Sequence, residues 1–184
     1  MFAQLDTKSV YSFMDSVVDL NSYVARAKEL GYQALGLMDR DNLYAAYHFA
    51  QLAIRNGLRP LIGTEANLFY EGRKIPFRLL AKNNQGYKNL MKLATELSSG
   101  QRELTAFSDY LNAIALILPS EDWEPGMTLG SEVFIGIRPE DAGKEFDYPV
   151  IPLHTVRYFE NADRSTIQTL HAISQNVSLS EVSI

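Results

Sequence analysis

Apolar runs of strand length recur along this chain, and in its first half they alternate with stretches whose apolar residues repeat at helical spacing, a pattern that restricts the fold to a layered α/β architecture. The first short run covers residues 2–5. Over residues 20–30, Leu20, Tyr23, Val24, Ala27 and Leu30 share one helical face, and Gly31 follows as the C′ residue. Residues 32–38 (YQALGLM) read as a buried strand. A second helix is predicted over 42–56, with Leu43, Ala46, Tyr47, Ala50 and Ile54 in one stripe and a stop at Gly57. A third strand starts over 59–63, continues through 66–70, turns at Glu71-Gly72 and returns over 75–81 as a hairpin. Tyr87, Leu90, Met91, Ala94 and Leu97 place a third helix over 87–97. Three more apolar runs, 113–118, 132–137 and 149–153, are separated by loops with little room for full helices, and a last helix over 162–174 carries Ile167, Leu170 and Ile173.

Ten Tyr, nine Phe and one Trp in 184 residues, 46% of them hydrophobic, suffice for the core of one domain, expected over 1–176 with 177–184 as the start of a linker. No stretch of eighteen apolar residues exists, and residues 1–12 lack the basic and apolar regions of a signal peptide; a cytoplasmic protein with no membrane partner is expected. The absence of cysteine removes disulfides, thiolate metal sites and cysteine nucleophiles together, and leaves His48, His154 and His171 as the imidazoles. No two of these are spaced as ligands on one element, so structural roles are expected. A net charge of -5 repels phosphate backbones, and no direct nucleic-acid binding is expected. Lys82, Lys88 and Lys92 read as a solvated helix face. Trp123 reads as a loop contact residue or as packing over the end of the sheet.

In barrels and doubly wound sheets, chemistry gathers at the carboxyl ends of the strands. Those ends here carry Asp6-Thr7-Lys8-Ser9, Asp39-Arg40-Asp41-Asn42, Thr64-Glu65 and His154-Thr155-Val156-Arg157-Tyr158. Around them run Ser9-Val10-Tyr11-Ser12, Ala27-Lys28-Glu29-Leu30-Gly31, Gly57-Leu58-Arg59-Pro60-Leu61-Ile62-Gly63-Thr64-Glu65, and Leu80-Ala81-Lys82 with Gly86-Tyr87-Lys88-Asn89-Leu90. In order and spacing these motifs resemble the N-terminal PHP domains of bacterial DNA polymerase III alpha subunits, and the match is densest over residues 4–90. The resemblance implies a distorted (β/α)7 barrel of TIM-like type whose later units are abbreviated.

It also implies a metal site that has been lost. The family's His-x-His falls on Asp6 and Lys8, its Asp-His pair on Asp39 and Arg40, its Glu on Glu65, a further His on Pro76, and its closing Asp-x-His on Thr155 and Arg157. Guanidinium and ammonium groups repel a divalent ion, so neither metal nor other cofactor is expected, and no catalytic residue is assigned. In place of the metal, Lys8, Arg40 and Arg157 are expected to pair with Asp6, Asp39 and Glu65 in one pocket, a network whose members would cost about 3–5 kcal/mol to remove singly. The implied role is a non-catalytic structural and docking domain of a replicative polymerase. It would abut the polymerase core of the same chain and offer a surface to proofreading or other replisome proteins. Two alternatives stand beside it: a metal-dependent phosphoesterase or 3'-5' exonuclease with a reduced site of Asp6, Asp39, Glu65 and a histidine, and a domain that binds a phosphorylated ligand through Lys8, Arg40 and Arg157.

Overall fold

Local chemistry sets most element boundaries in the computed structural model, which describes residues 3–130 and 132–182. Helix α1 (Leu20–Glu29) begins where Asp19 Oδ1 accepts from the Asn21 and Ser22 amides at 3.0 and 3.1 Å, and it ends before Gly31 at φ +76°. Helix α2 (Ala46–Arg55) starts four residues later than its periodicity suggests, because Asn42 Oδ1 accepts from the Tyr44 amide and holds 42–45 in a turn. Its buried face is Ala46, Phe49 and Ala53, whereas Tyr47 and Ile54 of the expected stripe are 72% and 64% exposed. Helix α3 (Asn84–Ser98) is capped by Asn83, and α4 (Asp163–Gln175) closes the chain's regular structure.

The strands are β1 (Ala3–Gln4), β2 (Asp6–Thr7), β3 (Ala34–Arg40), β4 (Arg59–Tyr70), β5 (Arg73–Ala81), β6 (Ile114–Pro119), β7 (Val133–Ile137), β8 (Val150–Pro152) and β9 (Thr155–Val156). Seven of them form one sheet in the order β1-β3-β4-β5-β6-β7-β8; β5 is antiparallel to both neighbours and the other pairings are parallel. The expected hairpin joins β4 to β5 through a two-residue loop, with Glu71 and Gly72 both at positive φ and Tyr70 opposite Arg73. Short 3-10 turns, Ser120–Asp122 and Pro139–Asp141, stand between β6, β7 and β8 where full helices would otherwise lie, so the later units are abbreviated as expected. The fold is a distorted, TIM-like α/β sheet curled toward a barrel.

The first strand runs from the β1 edge of that sheet into a separate two-stranded pairing with β9. Ala3 and Gln4 pair with β3, the chain shifts at Leu5, and Asp6 and Thr7 pair with Thr155 and Val156 of β9. Asp6 therefore sits within a strand rather than past its end; Phe2, expected in the same run, lies outside the described residues. The shift at Leu5 requires Gly36: a Cβ there would lie 1.9 Å from the Leu5 carbonyl oxygen. Gly36→Ala is expected to cost about 3 kcal/mol, the upper end of overpacking, because only backbone movement relieves the contact. Gly136→Ala, whose Cβ would meet Leu153 side-chain atoms, should cost less. Equal thermal melting points for the two variants would refute this account of closure.

Period-two alternation divides each strand between two environments. One side packs under the helices, with Leu35, Leu37, Phe49 and Tyr23 in one cluster and Leu68, Phe77, Leu79, Leu90 and Leu93 in another. The inner side holds a small apolar plug, Met38, Ile117 and Leu153. Trp123 packs edge-on to Phe146 at 5.1 Å against the α3 cluster. Residues 177–182, where a linker was expected to begin, fold back on α4: Gln168 Nε2 donates to the Leu179 and Val182 carbonyls, and Val182 is buried. Residues 183–184 lie outside the described residues. No helix among the described residues is long and apolar enough to cross a membrane.

Candidate functional site

Asp6 and Lys8 alternate with Thr7 on the first strand, so both point inward, above the apolar plug. Arg40 and Glu65 are paired neighbours on β3 and β4 and face the same way, as do Pro76 and Arg78 on β5 and Thr155 on β9. These side chains meet at the carboxyl ends of the parallel strands, where chemistry was expected.

At the centre is Lys8, fully buried, its Nζ 2.7 Å from Asp6 Oδ1 and 3.0 Å from Glu65 Oε2. Arg78 bridges the same two carboxylates, with Nε 3.0 Å from Asp6 Oδ2 and Nη2 3.2 Å from Glu65 Oε2, and its Nη1 donates to the Pro76 carbonyl at 2.7 Å. Thr155 Oγ1 donates to Asp6 Oδ2 at 2.7 Å. Arg40 Nε reaches Glu65 Oε1 at 3.1 Å while its Nη2 reaches Asp15 Oδ2 at 2.7 Å, which links the centre to a second carboxylate cluster. There Asp15 Oδ1 also receives Arg157 Nε and lies by His171 Nε2, each at 2.9 Å.

Burial pushes the Asp6 carboxyl toward neutrality, but Lys8 and Arg78 outweigh it and hold its pKa at about 2, below the ordinary 3.8. The same opposition lowers Glu65, with Lys8 and Arg78 prevailing over burial, and Asp6 and Glu65 in turn raise Arg78 against the effect of its own burial. Asp6, Glu65 and Arg78 are each held toward their charged forms by more than one partner.

The structure corrects the expected membership in three respects. Asp39 is adjacent to Arg40 on one strand and points to the opposite side, where Ser9 N, Ser9 Oγ and Ser12 Oγ donate to it at 2.6–2.7 Å; no Lys or Arg pairs with it among the described residues. Pro76 contributes only its carbonyl. Arg157 pairs with Asp15 rather than with Asp6, Asp39 or Glu65. Arg78, Asp15 and His171 belong to the network although motif comparison passed over them. Arg78 was readable as a lone charge in the otherwise apolar run Ile75-Pro76-Phe77-Arg78-Leu79-Leu80; Asp15 and His171 gave no comparable signal. Outside the site, Lys82 pairs with Glu132 at 2.8 Å, as suits a solvated face.

A metal centre of the kind the motif resemblance implies does not fit these residues. The Asp6 and Glu65 oxygens that would ligate an ion are already within hydrogen-bond distance of Lys8, Arg78 or Arg40, those of Asp39 accept from Ser9 and Ser12, and among the described residues no imidazole joins them. Among the described residues no group of three or more His, Cys, Asp or Glu side chains is arranged to hold a metal ion.

Comparison with known proteins agrees with the motif reading. The family model described as PHP domain matches residues 4–134. DNA polymerase III subunit alpha of Streptococcus pyogenes serotype M1 is 45% identical over 186 aligned positions, covering 100% of this chain and 18% of the relative. The same-named subunit of Aquifex aeolicus is 24% identical over 237 positions, covering 99% of this chain and 20% of the relative. The chain thus spans about a fifth of the length of these relatives. A crystal structure of a Bifidobacterium adolescentis protein, for which a metal-dependent phosphoesterase activity is only inferred, superposes with a TM-score of 0.49 at 12% identity, covering 95% of this chain and 84% of that one.

Proposed function

Because the chain belongs to the PHP domain family, we propose that it is the PHP domain of a DNA polymerase III alpha subunit, with ion pairs where the family resemblance implies a metal, and that its role is structural rather than catalytic. The observation that carries the proposal is Lys8 Nζ, which lies between Asp6 and Glu65 at ion-pair distance from both. A fixed ammonium there supplies the positive charge those carboxylates need and has no open coordination position at which water could be activated. Similarity along the whole of this chain to 18% of the streptococcal subunit supports the assignment to that polymerase. DNA synthesis would then belong to the remainder of such a subunit, in the cytoplasm.

The docking half of the proposal rests on the surface beside the site. Phe13 and Tyr44 are 83% and 80% exposed on loops that Asn42 ties together through a hydrogen bond to the Tyr11 carbonyl. Exposed aromatics on neighbouring loops suit a protein contact, and the polymerase core of the same chain is the partner this reading assigns to them.

Protein purified without chelator should contain well under one metal ion per chain by elemental analysis and should hydrolyse no phosphoester in added manganese. Stoichiometric metal, with turnover abolished by Glu65→Gln, would instead establish the phosphoesterase or exonuclease reading. Specificity for a DNA 3' end would decide between those two.

A further inference from the structure

The two helix-side clusters leave a seam between α2 and α3 over the first half of β4, where Pro60, Leu61 and Ile62 are only half-buried. This seam is a groove of about 300 Å3, walled by Tyr47 of α2 and Tyr87 of α3, with Arg59 and Lys82 also lining it. Arg59 opens β4 and Lys82 follows the end of the antiparallel β5, so the groove lies toward the amino ends of the parallel strands, away from the ion-pair network. We propose that it binds single-stranded nucleic acid, with a base against the Tyr47 ring and the adjoining phosphate on the Arg59 guanidinium.

The groups that the fold leaves unused point to this ligand. Tyr47 is largely exposed, and its ring meets no other aromatic ring among the described residues, while Gln51 Nε2 donates to its hydroxyl at 3.0 Å. The exposed Arg59 side chain finds no acceptor among the described residues. Lys82 pairs with Glu132 at 2.8 Å, but both side chains are nearly half exposed, so the pairing is weak and open to exchange. No carboxylate lines the groove. A flat aromatic face beside unpaired cations matches the alternation of base and phosphate along a single strand.

Shape favours a strand over a free nucleotide or a peptide. Small molecules are held in sites that enclose most of their surface, and protein anchors fill desolvated pockets, whereas Tyr47 offers an open platform. The groove also continues: Tyr87 is shared with a second cavity of about 260 Å3 that Met91 and Thr95 line, and the carboxylate in that lining, Asp41, is paired with Arg102 at 2.7 Å. The net charge of -5 that argues against nucleic-acid binding belongs to the whole chain. Salt confines the reach of each exposed charge to about 10 Å at about 0.1 M, so a phosphate in the groove responds mainly to the cations that line it.

Fluorescence anisotropy with a labelled oligo-dT of about twelve nucleotides, titrated in EDTA between about 0.05 and about 0.2 M salt, tests this. One saturable site per chain is expected, with affinity falling as salt rises. Tyr47→Ala should weaken binding about tenfold, whereas Tyr47→Phe keeps the stacking face and should match the parent. Arg59→Gln should weaken it severalfold and lower the salt slope by about 0.7–1. Both side chains stand at the surface, so these variants report binding rather than folding. EDTA removes metal-dependent binding, so the proposal and the non-catalytic reading can fail independently. Absence of saturable binding, unchanged affinity in Tyr47→Ala or Arg59→Gln, or displacement of the oligonucleotide by dTMP at equal concentration would overturn the proposal. Equally tight binding of poly-glutamate would overturn it too, and would assign the groove to an acidic protein partner.

Discussion

Asp6→Asn is expected to destabilise the fold by about 3–5 kcal/mol, the largest effect of any single substitution in the network. Asp6 is fully buried and holds two buried cations and the Thr155 hydroxyl at once. An isosteric amide preserves the shape but leaves Lys8 and Arg78 with Glu65 as their one remaining carboxylate. Charge imbalance rather than lost volume is then the cause, and the double variant Asp6→Asn, Lys8→Met separates the two. Restoring the balance should recover part of the loss, giving a coupling between the sites of about 0.5–3 kcal/mol in urea denaturation. Arg40→Met should cost only about 1 kcal/mol, because that side chain is 39% exposed and water can replace it. Strictly additive losses at Asp6 and Lys8 would mean that packing, not charge, holds this region.

Acid should unfold the domain partly through the same residue. The native pKa of Asp6, about 2, lies below its ordinary value of 3.8, so the native state binds its proton more weakly than the unfolded state does. The stabilisation is therefore fully present above about pH 4 and disappears as pH falls toward about 2, a contribution of about 2 kcal/mol. Glu65 is shifted in the same direction and adds to the slope. Unfolding free energies measured from pH 5 to pH 2 should fall more steeply in the parent than in Asp6→Asn, which has no carboxyl to titrate there. Identical slopes would contradict the ionised, paired state described for Asp6.

The elements themselves were largely legible in the sequence. The Glu71-Gly72 turn, Gly31 and Gly57 as helix stops, and the three late apolar runs need only local propensity and spacing, and all stand in the structure. Faces were less legible where tertiary packing competes with periodicity: on α2 the burial of Phe49 turned Tyr47 and Ile54 to solvent. The site was half legible. Residues two apart on one strand, Asp6 with Lys8, were rightly placed together. Asp39 with Arg40 was not, and strand alternation alone could have separated them. Asp15 comes from a loop and His171 from a distant helix, so only folding brings them to Arg40 and Arg157.

The pairing of the first strand with both β3 and β9 has a consequence for the order in which the molecule is made. Thr155 meets Asp6 across a separation of 149 residues, so the Asp6–Thr7 pairing must wait, during synthesis, until nearly the whole domain has emerged. Contacts of such long range form late, after most of the entropy of loop closure has been spent. Asp6 and Lys8 are then expected to stay hydrated until late in assembly, with their interactions absent from the folding transition state. Such interactions govern how slowly a protein comes apart rather than how fast it forms. The paired charges at the barrel mouth then act as a latch whose strength is read in the lifetime of the native state.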